Sequence, residues 1–347
     1  MTTLSWSSGT AYDFFISLYV LHHAGRFGLR ASWAAGVRQR VSPTHRAFFE
    51  KLMTFAPVPL GWIARLPEPR DSAVVLDALA ALDPAARLPE VLTTPEMAAN
   101  GVTTALLSIA SQGKAGKAEQ DFLRANYIRR ADPLKPAALA NLLECWSRPQ
   151  ETGTLLLSAL QEYRAVFFAE EERRIVATLR AGLDEARALA DELDVDALVT
   201  RLSRGVHFDS LDSTRRLILA PSYWSAPLVF IARLDEDEAL IAFGARPDHI
   251  SLISGEDASD AIVTPLKALA DPTRLRILRD LAVQPLTPAE LVRRLRLRPP
   301  TVIHHLRILR LAGLVEITVS AGSERMYAAR LSAIEAVSQA LVHFVKS

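Results

Sequence analysis

The chain has 347 residues, of which 50% are hydrophobic and 23% charged, with a formal net charge of +1. These proportions are ordinary for a soluble globular protein and suit two or three domains with a sizeable core. Cys145 is the only cysteine, which excludes an internal disulfide and a thiolate metal cage built within one chain.

Charge is unevenly placed. Residues 262–347 carry 13 Lys and Arg against 6 Asp and Glu, a surplus of seven, whereas the remainder carries 27 against 33, a deficit of six. A basic C-terminal part on a mildly acidic partner points to a nucleic-acid-binding module. Met1 to Thr10 lack a basic leader, and no stretch reaches the roughly 18 to 20 uninterrupted apolar residues that span a bilayer. The expectation is a cytoplasmic, nucleoid-associated protein without membrane contact.

From Tyr12 to Arg204 the periodicity is helical. Phe15, Leu18, Tyr19 and His22 fall at the spacing of one helix face. Prolines at 57, 59, 67, 69, 84, 89, 95, 133 and 136 divide the region into short and medium helices. Thr154 to Leu193 is the longest helical pattern, with Gly182 as its candidate break. The Glu170-Glu171-Glu172-Arg173-Arg174 run reads as a solvated face with charge pairs. Cys145, beside Leu142, Leu143 and Trp146, reads as a buried, inert thiol, or alternatively as a redox or ligand-contact residue. Tyr12, Phe14, Phe15, Tyr19, Phe27 and Trp33, with Tyr223 and Trp224, read as ordinary core, or alternatively as the lining of an apolar effector pocket.

After Gly205 the period changes. Leu217–Leu219, Leu228–Ile231 and Leu240–Phe243 are short apolar runs bounded by turn residues, which predict a small antiparallel meander. Gly255 to Asp260 reads as a linker. The organisation is thus a helical domain over 1–204, a small β-rich subdomain over 205–255 and a last domain over 260–347, in the mainly α (α+β) class.

Three helices and a wing are readable in the last domain. Thr273 is the expected cap of a helix burying Leu275, Ile277, Leu278 and Leu281. Thr287 and Glu290 form a capping box with Pro288 at the first helical position. Pro299 to Leu311 follows as the candidate recognition helix, packing on Val302, Leu306 and Leu309. Leu314 to Val319 and Arg325 to Ala329 flank Ser320-Ala321-Gly322 as a two-stranded wing. Leu331 to Val345 forms a final helix, apolar at Ile334, Val337, Leu341 and Phe344.

The ordered motifs Leu269–Leu278, Leu286–Leu291, Pro299–Leu309 and Ala312–Val315 resemble the ArsR family of transcription regulators over roughly the last quarter of the chain. The first 255 residues resemble, more weakly, the large domain that precedes ArsR-like modules in some regulators, a resemblance that transfers no site. The family resemblance implies a winged helix-turn-helix, with the helix around Leu266 and the last helix as a homodimer interface. It also implies double-stranded DNA as partner. Arg298, Pro300, Thr301, Ile303, His304, Arg307 and Arg310 are the expected DNA-facing residues of the recognition helix, and Arg325 that of the wing. Arg293, Arg294, Arg296 and Arg298 supply charge for phosphates.

Departures from the family pattern are informative. Pro299, Pro300 and Ile303 stand where small polar residues are frequent, so Ile303 suits a thymine methyl better than a hydrogen bond. Ser323 replaces the frequent basic residue after the wing glycine. The Leu286–Leu291 segment lacks the Cys-x-Cys of the metal-sensing members, and adjacent His22 and His23 point about 100° apart on a helix, so no metal or other cofactor is expected.

No nucleotide-binding, nucleophile-elbow or zinc-protease motif occurs, and Asp13, Glu144 and Glu170 have no partner that spacing identifies. An enzyme is not expected. The reading is a homodimeric repressor that binds a palindromic operator and is controlled through its N-terminal domain, with an effector the sequence does not identify. The alternative is an interaction protein whose winged helix docks on protein, favoured by the apolar start of the recognition helix.

Overall fold

The computed structural model describes residues 2–129, 132–208, 211, 214–247, 250, 252, 260–319 and 325–346. The Gly255–Asp260 linker reading, except for Asp260 at the start of a helix, and the wing turn at 320–324 lie outside the described residues.

The strands in chain order are β1 (Thr3–Trp6), β2 (Ile128–Arg129), β3 (Asp132–Pro133), β4 (Val206–Phe208), β5 (Arg216–Ser222), β6 (Phe230–Arg233), β7 (Glu238–Gly244), β8 (Val315–Val319) and β9 (Arg325–Ala329). β1, β5, β7 and β6 form one sheet in that spatial order, β2 and β3 form a two-stranded sheet, and β4, β8 and β9 form a third.

The expected antiparallel meander is instead a mixed sheet. β1 pairs with β5, and β5 with β7, in parallel; only β6 runs antiparallel, on the far side of β7. The physical reason lies in burial. Leu217 to Ala220 and Leu240 to Phe243 are all buried, the mark of strands covered on both faces. An unbroken apolar run says that a strand is buried without giving its direction. The sheet also recruits the first strand of the chain.

The helix Ala11–His22 crosses the centre of the N-terminal body, with every residue from Ala11 to Leu21 buried. The single apolar face read from Phe15, Leu18 and Tyr19 is therefore only part of its contact surface. Its weak amphipathicity follows, since a helix enclosed all round needs no polar side. Asp13 is the exception in kind. Its carboxylate accepts from Ser222 Oγ at 2.7 Å, Trp224 N at 2.8 Å and Tyr223 N at 3.1 Å, tying the helix to the turn after β5. Burial raises its pKa to about 6 against the pull of those three hydrogen bonds.

Pro149–Tyr163 and Ala169–Glu192 join through one π-helical stretch, Arg164–Phe168, into a continuous rod. Gly182 does not break it. A Cβ there would stand 2.5 Å from that of Ala245, so glycine serves close approach between the rod and the segment after β7. The acidic run is less solvated than expected. Glu172 accepts from Thr10 Oγ1, Ser72 N and Ser72 Oγ, and Glu171 chelates Arg174, whose Nη1 donates to Tyr223 Oη at 2.7 Å. Cys145 is buried, and desolvation lifts its thiol to about 11.

The aromatic group is packed as core. Tyr12, Phe14, Phe15, Tyr19, Phe27, Tyr223 and Trp224 are buried, and Trp33 stacks on Trp224. A cavity beside Leu18, His22, Arg38 and Tyr163 measures about 10 Å³, the room of about one water. His22 and His23 bond back to Leu18 O and Tyr19 O at 2.9 Å each and do not converge.

Candidate nucleic-acid interface

Residues 268–337 share their own hydrophobic cluster, built on Ile277, Leu278, Leu281, Leu291, Val302, Leu306, Leu309, Leu314 and Val315. Asp260–Leu269, Pro272–Val283, Pro288–Leu295 and Pro299–Leu311 are its helices, followed by the hairpin β8–β9 and the helix Leu331–Lys346. Leu286 adds a short third strand position, exchanging both backbone hydrogen bonds with Tyr327 at 2.9 Å.

Local chemistry sets these boundaries. The first cap is Asp271, not Thr273: its Oδ1 accepts from Thr273 N at 2.8 Å and Arg274 N at 2.9 Å. A carboxylate outcompetes a hydroxyl for the free amides of a helix start, and with Pro272 at the first helical position it fits the preceding residue. Those amides, with the Arg274 charge, hold the Asp271 carboxyl below its usual range. The Thr287–Glu290 capping box is present, with Pro288 after the cap. Arg296 closes that helix in the left-handed region, φ 54°, so the chain turns sharply into the recognition helix.

On the recognition helix Val302, Leu306 and Leu309 are buried. Arg298, Pro300, His304 and Arg307 are exposed, Ile303 is 58% exposed and Thr301 half-buried. Arg307 Nη2 lies 3.0 Å from His304 Nδ1, so two expected DNA-facing side chains already share one site. Arg325 is exposed at the start of β9, and Arg293, Arg294 and Arg296 are exposed beside Arg298. His305 turns inward, as a packing residue should.

Arg310 departs from the expectation. It is 6% exposed, and its guanidinium donates to Arg204 O at 2.6 Å and Ser203 O at 2.7 Å. Burial lowers its pKa to about 10. One helical turn separates it from Arg307, and helix periodicity places both towards one side. The contact that draws it inward lies more than 100 residues earlier in the chain, beyond the reach of a local pattern. Sequence reasoning missed this residue as a contact between the two parts of the molecule. It also missed the parallel pairing of β4 with β8, which sets Val206 opposite Ile317, His207 opposite Thr318 and Phe208 opposite Val319.

A helix, a short capped helix, an exposed recognition helix and a β-hairpin in this order define a winged helix-turn-helix. Residues 271–316 match the family model described as "Bacterial regulatory protein, arsR family". The C-terminal part of the chain is thus an ArsR-type helix-turn-helix, the DNA-binding module of a transcription regulator. No curated protein and no solved structure matches the chain. Among the described residues no helix is long and apolar enough to cross a membrane.

Proposed function

We propose that the protein is a homodimeric, sequence-specific repressor, controlled through its N-terminal domain and without a cysteine-based metal site. The observation that carries this reading is the division of the recognition helix. Its buried side is apolar except for Arg310, and its open side presents Arg298, Ile303, His304 and Arg307 together. Such a surface fits the major groove, with arginines at phosphates or guanine edges and Ile303 at a thymine methyl. Arg325 reaches the backbone from the wing.

Dimerisation is supported by the final helix. Ile334 and Val337 pack on the module's core, whereas further along the same helix Leu341 is 37% and Val345 75% exposed. A second copy covering these positions places two recognition helices about one helical turn of DNA apart, which suits a palindromic operator. The apolar face of Ile303 and Pro300 also fits a protein-docking surface, and DNA affinity separates the two readings.

Among the described residues, one arrangement joins a histidine, a carboxylate and a serine. His45 Nδ1 meets Glu162 Oε2, and His45 Nε2 lies 3.1 Å from Ser158 Oγ. Ser158 Oγ also donates to Leu155 O at 3.1 Å. The set fastens Pro43–Leu52 to Pro149–Tyr163, with Ser42 Oγ also donating to Glu162 at 2.8 Å.

Arg307→Ala tests the DNA reading. It is expected to weaken binding and to flatten the dependence of log affinity on log salt by about one unit. Fluorescence anisotropy over a salt series measures both, and unchanged affinity and slope remove Arg307 from the interface.

A further inference from the structure

The wing is not free at its outer edge. β9 occupies one side of β8, and the N-terminal part of the chain supplies β4 for the other, a strand addition of the kind used between partners. Three successive carbonyls of the preceding turn serve the winged helix. Ser203 O and Arg204 O accept from Arg310, and Gly205 O accepts from Ile317 N at 2.8 Å. The turn is also bonded within itself. Arg204 and Gly205 are both left-handed, φ 57° and 90°, and Ser203 Oγ both accepts from Val206 N and donates to Val206 O. Val319 packs into the cluster beneath the N-terminal sheet with Val206, Phe208 and Leu219, and Gly28 approaches Leu311 at the end of the recognition helix.

We propose that residues 203–208 form a clasp through which the N-terminal body sets the DNA affinity of the winged helix, an inference that rests on the DNA-binding reading above. The clasp grips both DNA-facing elements at their rear, the recognition helix through Arg310 and the wing through β8. It leaves Ile303, His304 and Arg307 open, so the clasped form is the DNA-competent one. It also ends a short mechanical path. The rod Ala169–Glu192 lies against β5 and the helix Val195–Leu202, and that helix leads directly into Ser203. A change that shifts the rod shifts the three carbonyls, and Arg310 and β8 move with them or let go. A groove of about 440 Å³ runs along this junction, lined from one side by Asp196, Thr200 and His207 and from the other by Glu316 and Arg330. The junction is thus reachable from solvent. Burying the Arg310 charge against carbonyls alone is costly, which is the expense of a switchable contact and not of a simple tether.

Two variants open the clasp from opposite sides. Arg310→Ala removes the donors from the recognition helix. Gly205→Ala acts from the N-terminal side, because a Cβ there would stand 3.0 Å from Glu316 Cγ on a backbone with φ 90° that disfavours it. Full-length wild type and both variants are titrated with DNA from the protein's own upstream region at fixed salt, and amide exchange is followed over residues 315–319. The expected result is faster exchange of β8 in both variants and, in both, roughly tenfold or greater loss of affinity, within the usual range of coupling between sites. Loss with Arg310→Ala alone overturns the proposal by making the effect local to the recognition helix. Wild-type affinity despite faster exchange reduces the clasp to a tether, and tighter binding makes it an inhibitor; either result overturns it. Absence of any DNA preference in the wild type overturns the functional reading itself, and is distinguished by the wild-type titration alone.

Discussion

Asp13→Ala is expected to lower the stability of the N-terminal body by roughly 3 kcal/mol or more, because it strands three buried donors at once. Ser222 Oγ, Tyr223 N and Trp224 N all end on this one carboxylate, and the residues that carry them are at most 1% exposed. Asp13→Asn keeps one acceptor oxygen but places an amide against one of the donors, so its loss is intermediate. The two variants also separate hydrogen bonding from charge. The folded-state pKa of Asp13, about 6, lies above its ordinary value of 3.8. Its contribution is therefore fully present below pH about 4 and is lost as pH rises through about 6, a span of about 3 kcal/mol. Denaturant unfolding across pH 4 to 7 checks this. The wild-type curve should fall relative to that of Asp13→Asn over the interval, and parallel curves contradict a carboxyl protonated on folding.

The second large effect is expected at the final helix. Leu341→Asp with Val345→Asp places two charges one turn apart on an apolar stretch that lies outside the module's buried cluster. If a second copy covers this stretch, the variant is monomeric by light scattering and loses roughly a hundredfold in operator affinity, since each half-site is then bound without the help of the other. A wild-type chain that is itself monomeric at micromolar concentration, or a variant that binds as tightly as wild type, contradicts the dimer.

The DNA-binding module was legible in the sequence because its determinants are local. A 3.6-residue apolar period, the Thr287–Glu290 box and the proline starts are each settled within one or two turns of chain. The cap at Asp271 was missed by two residues for a related reason, as two good capping types flank Pro272 and only geometry chooses between them. What escaped is non-local. Strand β1 is four residues long and acquires its meaning from β5, more than 200 residues away. The direction of β5 and β7 is invisible in runs that are apolar throughout. Arg310 carries the same local signal as Arg307, and only the carbonyls of Ser203 and Arg204 turn it inward. Asp13 looked isolated because its three donors lie beyond residue 221. In the N-terminal body, therefore, helicity was readable and the arrangement of the helices was not.

The most direct test of the central claim is binding of the full-length protein to its own upstream DNA and to a scrambled control across salt concentration. The account predicts a preference of at least ~10³-fold for the native region, with affinity falling steadily as salt rises. Equal, weak binding to both DNAs that vanishes by about 200 mM salt would contradict it.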